Sequence, residues 1–242
     1  MRRGFSLIEM AVVLLVITLL LGGLLVPFAT QVEQRRIAET QKALEEIKEA
    51  LLGYALSHLA SVAGGPAQPY LPCPDTNGDG QEEVRDAAGV CPADDGNLPW
   101  ATLGTAPTDA WGNRFHYAAT AAFTNSVNGF GLASSGTYLV CDQAPGAVAA
   151  TCPAGTVATS IPALVLSYGK NGYGALNAGG TSNHAPASND EIENTAAGPN
   201  SAMYISHVIT AANTGAGEFD DIVVWLSPNV LFNRMVAAGR LP

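Results

Sequence analysis

The chain has 242 residues, a formal net charge of −10 and 48% hydrophobic residues. Such an acidic chain cannot neutralise many phosphates, which argues against non-specific nucleic-acid binding and makes cations the more suitable ligands. Beyond one apolar segment at the amino end, the remaining length allows a single soluble domain.

The amino-terminal segment reads RRGFSLIEM and continues as AVVLLVITLLLGGLLVPFA. A helix crosses a bilayer in about 20 apolar residues, so residues 5–30 are predicted to form a transmembrane helix. Arg2 and Arg3 precede it, and basic residues stay on the cytoplasmic side, which predicts that the rest of the chain lies outside the cytoplasm.

Glu9 lies inside this apolar run. A charged residue near the centre of a membrane helix costs about 2.5–3.5 kcal/mol, which favours a functional group with a charged partner. The alternative is a polar residue near the helix end whose side chain reaches the lipid headgroups.

The stretch RRGFSLIEMAVVLLVITLLLGG resembles the amino-terminal segment of type IV prepilins and type II secretion pseudopilins. A short basic leader ends in Gly4, Phe5 follows, and Glu9 lies in the apolar helix. The resemblance implies that prepilin peptidase removes residues 1–4, that the new amine of Phe5 is methylated, and that residues 5–30 later form the filament core. It also implies a partner for Glu9, namely the amino terminus of a neighbouring subunit.

Residues 31–62 are predicted to form an amphipathic stalk helix. Apolar residues return at spacings of three, four or seven, which is typical of one buried helix face. These residues are Ile37, Leu44, Ile47, Leu51, Ala55 and Leu59.

Residues 63–242 are predicted to form a globular head of short strands and long turns, because the composition shifts to Gly, Pro, Asn, Asp and Ala. The candidate strands are NRFHYAAT, GTYLVC, PALVLSYG and DDIVVWLS. Pairing them antiparallel gives a small sheet that covers the stalk helix, so the predicted fold is pilin-like α+β with long disulfide-pinned loops. A final helix is expected after Ser227 and Pro228, ending at Gly239.

Four cysteines follow the apolar segment and allow three pairings. None has C-x-x-C spacing, so structural disulfides in an oxidising compartment are the favoured interpretation. The preferred pairs are Cys73 with Cys91 and Cys141 with Cys152, because each closes a short Gly/Pro-rich loop.

The stretch DTNGDGQEEVRD fits part of a calcium-binding loop. Asp75, Asn77 and Asp79 stand at alternate positions, and Asp86 occupies the place of the usual bidentate glutamate, which Glu82 or Glu83 could also take. The alternative is a turn-rich loop held by Cys73 and Cys91. Calcium is the one cofactor that the sequence suggests.

A second acidic pair, Asp220 and Asp221, precedes the last strand and is interpreted as an edge-strand cap or a cation site. Ser167 and Lys170 have S-x-x-K spacing, but a strand precedes them and NGYG follows, so the required helix is not expected. The sequence contains no H-E-x-x-H, G-x-S-x-G or P-loop motif, and the chain is not expected to be an enzyme.

These observations predict a structural subunit, a pseudopilin or minor pilin of a type II secretion or type IV pilus-like filament. Its expected partners are other such subunits, prepilin peptidase, an inner-membrane assembly platform and the lipid bilayer. It would span the inner membrane once, with a cytoplasmic amino terminus and a periplasmic head, before entering a filament in the periplasm or at the cell surface. The alternatives are a pilus-displayed binding module, such as an adhesin or uptake pilin, and a membrane-anchored periplasmic enzyme.

Overall fold

The structure is a computed structural model that describes residues 6–62, 65–145, 151–153, 155–195, 202–212 and 217–242, with the side chains of residues 21–28 left out. Gly4 and Phe5, the predicted cleavage point, lie outside the described residues. The chain divides into two compact units, Met1–Glu39 and Thr40–Pro242.

Helices and strands alternate irregularly along the chain. The helices are α1 Leu7–Ser57, α2 Trp100–Leu103, α3 Ala121–Thr124, α4 Asn189–Glu193 and α5 Pro228–Ala237. The strands are β1 Leu59–Ala60, β2 Gln68–Pro69, β3 Asp95–Asn97, β4 His116–Ala119, β5 Tyr138–Cys141, β6 Thr156–Ile161, β7 Ala163–Ser167, β8 Met203–Ile205 and β9 Ile222–Trp225.

The long amino-terminal helix α1 is one continuous element of 51 residues that ends at Ser57. The predicted apolar face is confirmed for Leu44, Ile47, Leu51 and Ala55, whose side chains are fully buried. Leu59, which the periodicity placed on the same face, lies in the short strand β1 instead.

The four predicted strands are present, but they do not form one antiparallel sheet. Three of them, β4, β7 and β9, join β3 in an antiparallel sheet of order β3-β4-β7-β9. The strand predicted from GTYLVC is β5, which pairs antiparallel with β6 and parallel with β8 in a second sheet. The prediction of a single antiparallel sheet was therefore wrong.

The two central strands of the four-stranded sheet, β4 and β7, are buried on both faces, which explains the second sheet. Tyr117 and Val165 pack on the Leu44–Ala55 part of α1, whereas Ala118 and Leu164 face the other way and pack with Tyr138 of β5. Because side chains alternate across a strand, a strand buried on both faces needs a layer on each side. The unit Thr40–Pro242 therefore has three layers: helix, sheet and sheet.

Two disulfides and a capped helix complete this unit. The disulfides join Cys73 to Cys91 and Cys141 to Cys152, which confirms the favoured pairing. Helix α5 begins after Ser227 with Pro228 at its first position, and Gly239 follows its end with a φ of 67°. A positive φ is readily adopted only by glycine, which explains the stop at this residue.

Candidate functional site

Reciprocal hydrogen bonds join Ser6 and Glu9 at the start of α1. The Ser6 amide donates to Glu9 Oε2 at 2.7 Å, and the Glu9 amide donates to Ser6 Oγ at 3.3 Å. This capping box satisfies backbone amides that the first helical turn leaves without partners. The S-x-x-E spacing is its sequence signal, which the prediction for Glu9 alone did not use. The carboxylate is thus held at the amino end of the helix.

Apolar side chains cover every side of α1 from Leu7 to Leu20. The large ones have exposed fractions between 45% at Ile17 and 90% at Leu7. A helix that is apolar all round is stable only when lipid or protein surrounds it. Within the described part of the chain, no helix reaches the length and apolarity needed to cross a membrane.

The amino-terminal residues match a known family model. Residues 1–25 match the model described as the prokaryotic N-terminal methylation motif, which is the signature of the type IV prepilin and pseudopilin family. The chain has a prepilin-type amino terminus. The prepilin-type motif indicates a prepilin-peptidase substrate that assembles with other pilin-type subunits. No curated protein and no solved structure matches the chain.

The loop predicted to bind calcium is built from turns that its acidic side chains hold together. Asp75 Oδ1 accepts hydrogen bonds from the amides of Asn77 and Gly78 at 3.1 and 2.6 Å, and its Oδ2 accepts one from Gly80 at 2.8 Å. Asn77 Oδ1 accepts a hydrogen bond from the Asp79 amide at 2.9 Å. Such side-chain-to-backbone bonds are typical of Asx turns.

The remaining predicted ligands of this loop hold other turns. Asp86 accepts hydrogen bonds from the amides of Ala88 and Val90, at 2.9 and 2.8 Å. Asp75, Asp79 and Asp86 are described residues, yet they do not form a group of three carboxylates close enough to share an ion. Calcium binding at this loop stays a prediction.

The two glutamates that could replace Asp86 also have structural partners. Glu82 Oε1 accepts a hydrogen bond from the Tyr54 hydroxyl at 2.6 Å, and its Oε2 lies 2.8 Å from the Arg85 guanidinium. Glu83 Oε1 accepts a hydrogen bond from the Thr76 hydroxyl at 2.7 Å. Glu82 thereby ties the first disulfide loop to α1.

A cluster of three carboxylates lies elsewhere in the Thr40–Pro242 unit. Glu191 of α4 meets Asp220 and Asp221, which precede β9, and one oxygen of each lies within 4.8 Å of the other two. Glu191 is 1% exposed and Asp221 is 4% exposed. In the described ranges, this is the one group of three or more acidic, His or Cys side chains that could share a metal ion.

Two asparagines hold the cluster in place. The Asn171 side chain donates to Glu191 Oε1 at 2.8 Å, and its backbone amide donates to Asp220 Oδ2 at 2.9 Å. Asn194 donates to Asp221 Oδ2 at 2.8 Å. Glu191 Oε2 is buried without a hydrogen-bond partner. An oxygen in this position can bind a cation without breaking another bond.

Burial changes the acid strength of these carboxyl groups. Loss of hydration raises the pKa of Glu191 to about 7 and raises the pKa of Asp221 well above its usual range. Nearby carboxylates add to both shifts, because like charges disfavour each other's ionisation. A divalent cation would favour the ionised forms instead.

Only two of the three carboxylates in this cluster could be identified from the sequence. Asp220 and Asp221 were recognised as an acidic pair, whereas Glu191 was missed. Its local signal is Ser188, whose hydroxyl accepts a hydrogen bond from the Glu191 amide at 3.2 Å and caps α4. That spacing predicts a helix start and gives no sign of the distant aspartates.

The S-x-x-K pattern forms no catalytic site. Ser167 ends strand β7, and its hydroxyl donates to Asp109 Oδ2 at 2.7 Å in the protein interior. The pattern requires a helix that turns the lysine back to the serine. Ser167 is therefore a structural hydrogen-bond donor.

Proposed function

We propose that this chain is a structural subunit, a pseudopilin or minor pilin, of a type II secretion or type IV pilus-like filament. One observation carries the proposal: the methylation motif of residues 1–25 includes the start of α1, where the apolar side chains from Leu7 to Leu20 are exposed on every side. Lipid can cover this surface before assembly, and equivalent helices can cover it afterwards. The energy for assembly would come from a separate ATPase.

The proposed processing and topology follow from the same segment. Prepilin peptidase removes residues 1–4 by cleavage between Gly4 and Phe5, and the Phe5 amine is methylated. Residues 5–30 span the inner membrane once, residues 31–62 continue as the stalk, and residues 63–242 form the periplasmic head. Helix α1 itself ends at Ser57.

Glu9 is the proposed assembly residue. Its carboxylate caps the first turn of its own helix. In the filament it would also accept a hydrogen bond from the Phe5 amine of a neighbouring subunit. A buried carboxylate becomes tolerable when it is paired with a cation, and only one axial stagger of the two helices brings these charges together. Glu9 would therefore fix the register between subunits.

The Glu9→Ala substitution tests this role. Loss of one partner of a buried ion pair costs about 3–5 kcal/mol, so we expect incorporation into filaments to fall by ~100-fold or more while membrane insertion remains normal. Immunoblots of sheared filaments and of membranes would measure both. The matched control is Glu46→Ala, which removes an exposed glutamate of the same helix. Normal incorporation of the Glu9 variant would contradict the pairing.

We also propose that Glu191, Asp220 and Asp221 bind a divalent cation, with calcium as the best fit. Calcium prefers several oxygen ligands and accepts irregular geometry, which suits three carboxylates that come from two separate segments. The observation that favours it is the unpartnered Oε2 of a glutamate that is 1% exposed. A bound cation would link helix α4 to the residues that precede strand β9.

Calcium titration of the full chain in detergent tests this site. At about a hundredfold excess over Kd, we expect calcium to raise Tm by about 5–10 °C, because a ligand that binds the folded state stabilises it. Glu191→Gln should abolish the rise. Asp79→Asn, which removes a charge from the Asp75 loop, should leave it intact. An unchanged Tm would contradict both sites, and loss of the rise only with Asp79→Asn would assign calcium to the loop.

A further inference from the structure

The two larger sheets of the head end in four edge strands. The four-stranded sheet ends in β3 and β9, and the three-stranded sheet ends in β6 and β8. An edge strand carries a row of backbone donors and acceptors that can pair with another chain unless the protein covers or disrupts it.

Two of these edges are covered by the chain itself. Backbone hydrogen bonds join Asp75 and Asn97 across the free edge of β3, with distances of 2.9 and 2.8 Å. The side chain of Asn194 covers the end of β8 by donating to the Ile205 carbonyl at 3.1 Å and accepting from the Ile205 amide at 2.7 Å. These bonds occupy the outward-facing backbone groups of Asn97 in β3 and of Ile205 in β8.

Strand β9 is open along its outer edge. It reads IVVW, without charge or proline, and pairs with β7 alone among the described strands. Leu226 donates to Ala163 and the register opposes Val224 to Val165, so the backbone groups of Val223 and Trp225 point away from β7. A groove of about 350 Å³ runs beside this edge, lined by Glu45, Lys48, Val223, Val224, Trp225 and Ser227.

Strand β6 is the second open edge. It reads TVATSI, again without charge or proline, and most of its side chains on both faces are exposed, including Val157 at 45%. Within the described residues, β6 pairs with β5 only, and two irregularities in that register curve it. We therefore expect that only a short strand can pair with the curved edge of β6, and β9 has four residues.

The geometry of a filament decides which surfaces can meet. All subunits added from one membrane have the same polarity, so a contact between neighbours joins two different patches and repeats along the filament. The open edge of β9 must then meet a surface other than β9 itself. In the part of the head that the structure describes, β6 is the remaining uncovered edge.

We infer that the β9 edge of one subunit pairs with the β6 edge of the next copy, which extends one sheet across the boundary between two heads. This inference rests on the filament function proposed above and names a second contact beside the helix core. The β6 strand would lie in the groove next to Lys48 and donate to and accept from the backbone groups of Val223 and Trp225. Sheet augmentation of this kind relies on backbone bonds and tolerates uncharged side chains such as those of β6.

Site-specific cross-linking in the full chain tests the pairing. Thr159→Cys places a thiol on β6, and Ser227→Cys places one beside the β9 edge, where the serine side chain makes no capping hydrogen bond. All four native cysteines are in disulfides, so a short bis-maleimide would react at the introduced thiols. Cells that express both single variants should give a cross-linked dimer in sheared filaments, about tenfold above cells that express either alone.

A second variant introduces a charge on β6. Val157→Lys should lower the mixed cross-link by about tenfold, because lysine on an edge strand opposes pairing. Val84→Lys, at a valine that is 88% exposed on another surface, should leave it unchanged.

The other outcomes contradict the inference in distinguishable ways. Filaments that contain both variants but show no mixed cross-link would overturn the edge pairing and leave the filament function intact. A strong cross-link with Ser227→Cys alone would show a two-fold β9 contact instead. Absence of the chain from filaments would overturn both proposals.

Discussion

The buried carboxyl group of Glu191 has an altered acid strength. Loss of hydration raises its pKa to about 7 in the folded chain, and no bonded partner compensates its Oε2 atom. Burial also raises the pKa of Asp221. Without a cation, both groups ionise at a higher pH than ordinary carboxyl groups, and a bound cation would oppose this shift.

This raised pKa predicts a specific pH dependence. The pKa of Glu191 is about 4.5 in the unfolded chain and about 7 in the folded chain, so without cation the free energy of unfolding should fall as the pH rises from 4.5 to 7. Its contribution is fully present below pH 4.5 and lost above 7. Urea unfolding of the wild type and of Glu191→Gln in chelator would measure the effect of Glu191, including the part that acts through the pKa of Asp221.

The comparison with Glu191→Gln is necessary because another buried group acts in the opposite direction. Burial lowers the pKa of His116 from its ordinary value of 6.5 to about 4, so His116 makes the fold less stable as the pH falls through that range. The Gln variant keeps this contribution. Parallel curves for the wild type and the variant would contradict the role assigned to Glu191.

At the level of helices and strands, local pattern predicted the elements but not all of their partners. The period of three and four placed Leu44, Ile47 and Leu51 in the core, and the run DDIVVWLS located β9. The apolar runs of β4, β5 and β7 look alike in the sequence, and nothing local assigns β5 to a second sheet. Sheet membership depends on contacts between distant residues, such as Tyr138 with Leu164.

Local sequence patterns likewise revealed some of the candidate functional residues and not others. Glu9 was predicted from its local offset from Gly4, and its contact with Ser6 could have been predicted from the S-x-x-E spacing. Glu191 meets Asp220 only after α4 and β9 have folded together, so no short motif reveals the cluster. The Asp75 loop shows the opposite case, since a pattern that fits calcium ligands also serves to hold turns.

The whole molecule has two compact units, Met1–Glu39 and Thr40–Pro242. The first carries the methylation motif and the exposed apolar helix, which together support assembly with other pilin-type subunits. The second has its own core, two disulfides and the carboxylate cluster. In the proposed filament, the first unit carries assembly through its helix, and the second carries the cation site and the contact between heads.

Mass spectrometry of the mature chain tests this assignment most directly. The account predicts that residues 1–4 are absent and that the chain begins with N-methylated Phe5, and that both changes disappear in cells without prepilin peptidase. A mature chain that retains Met1 to Gly4 and has an unmodified Phe5 would contradict the account.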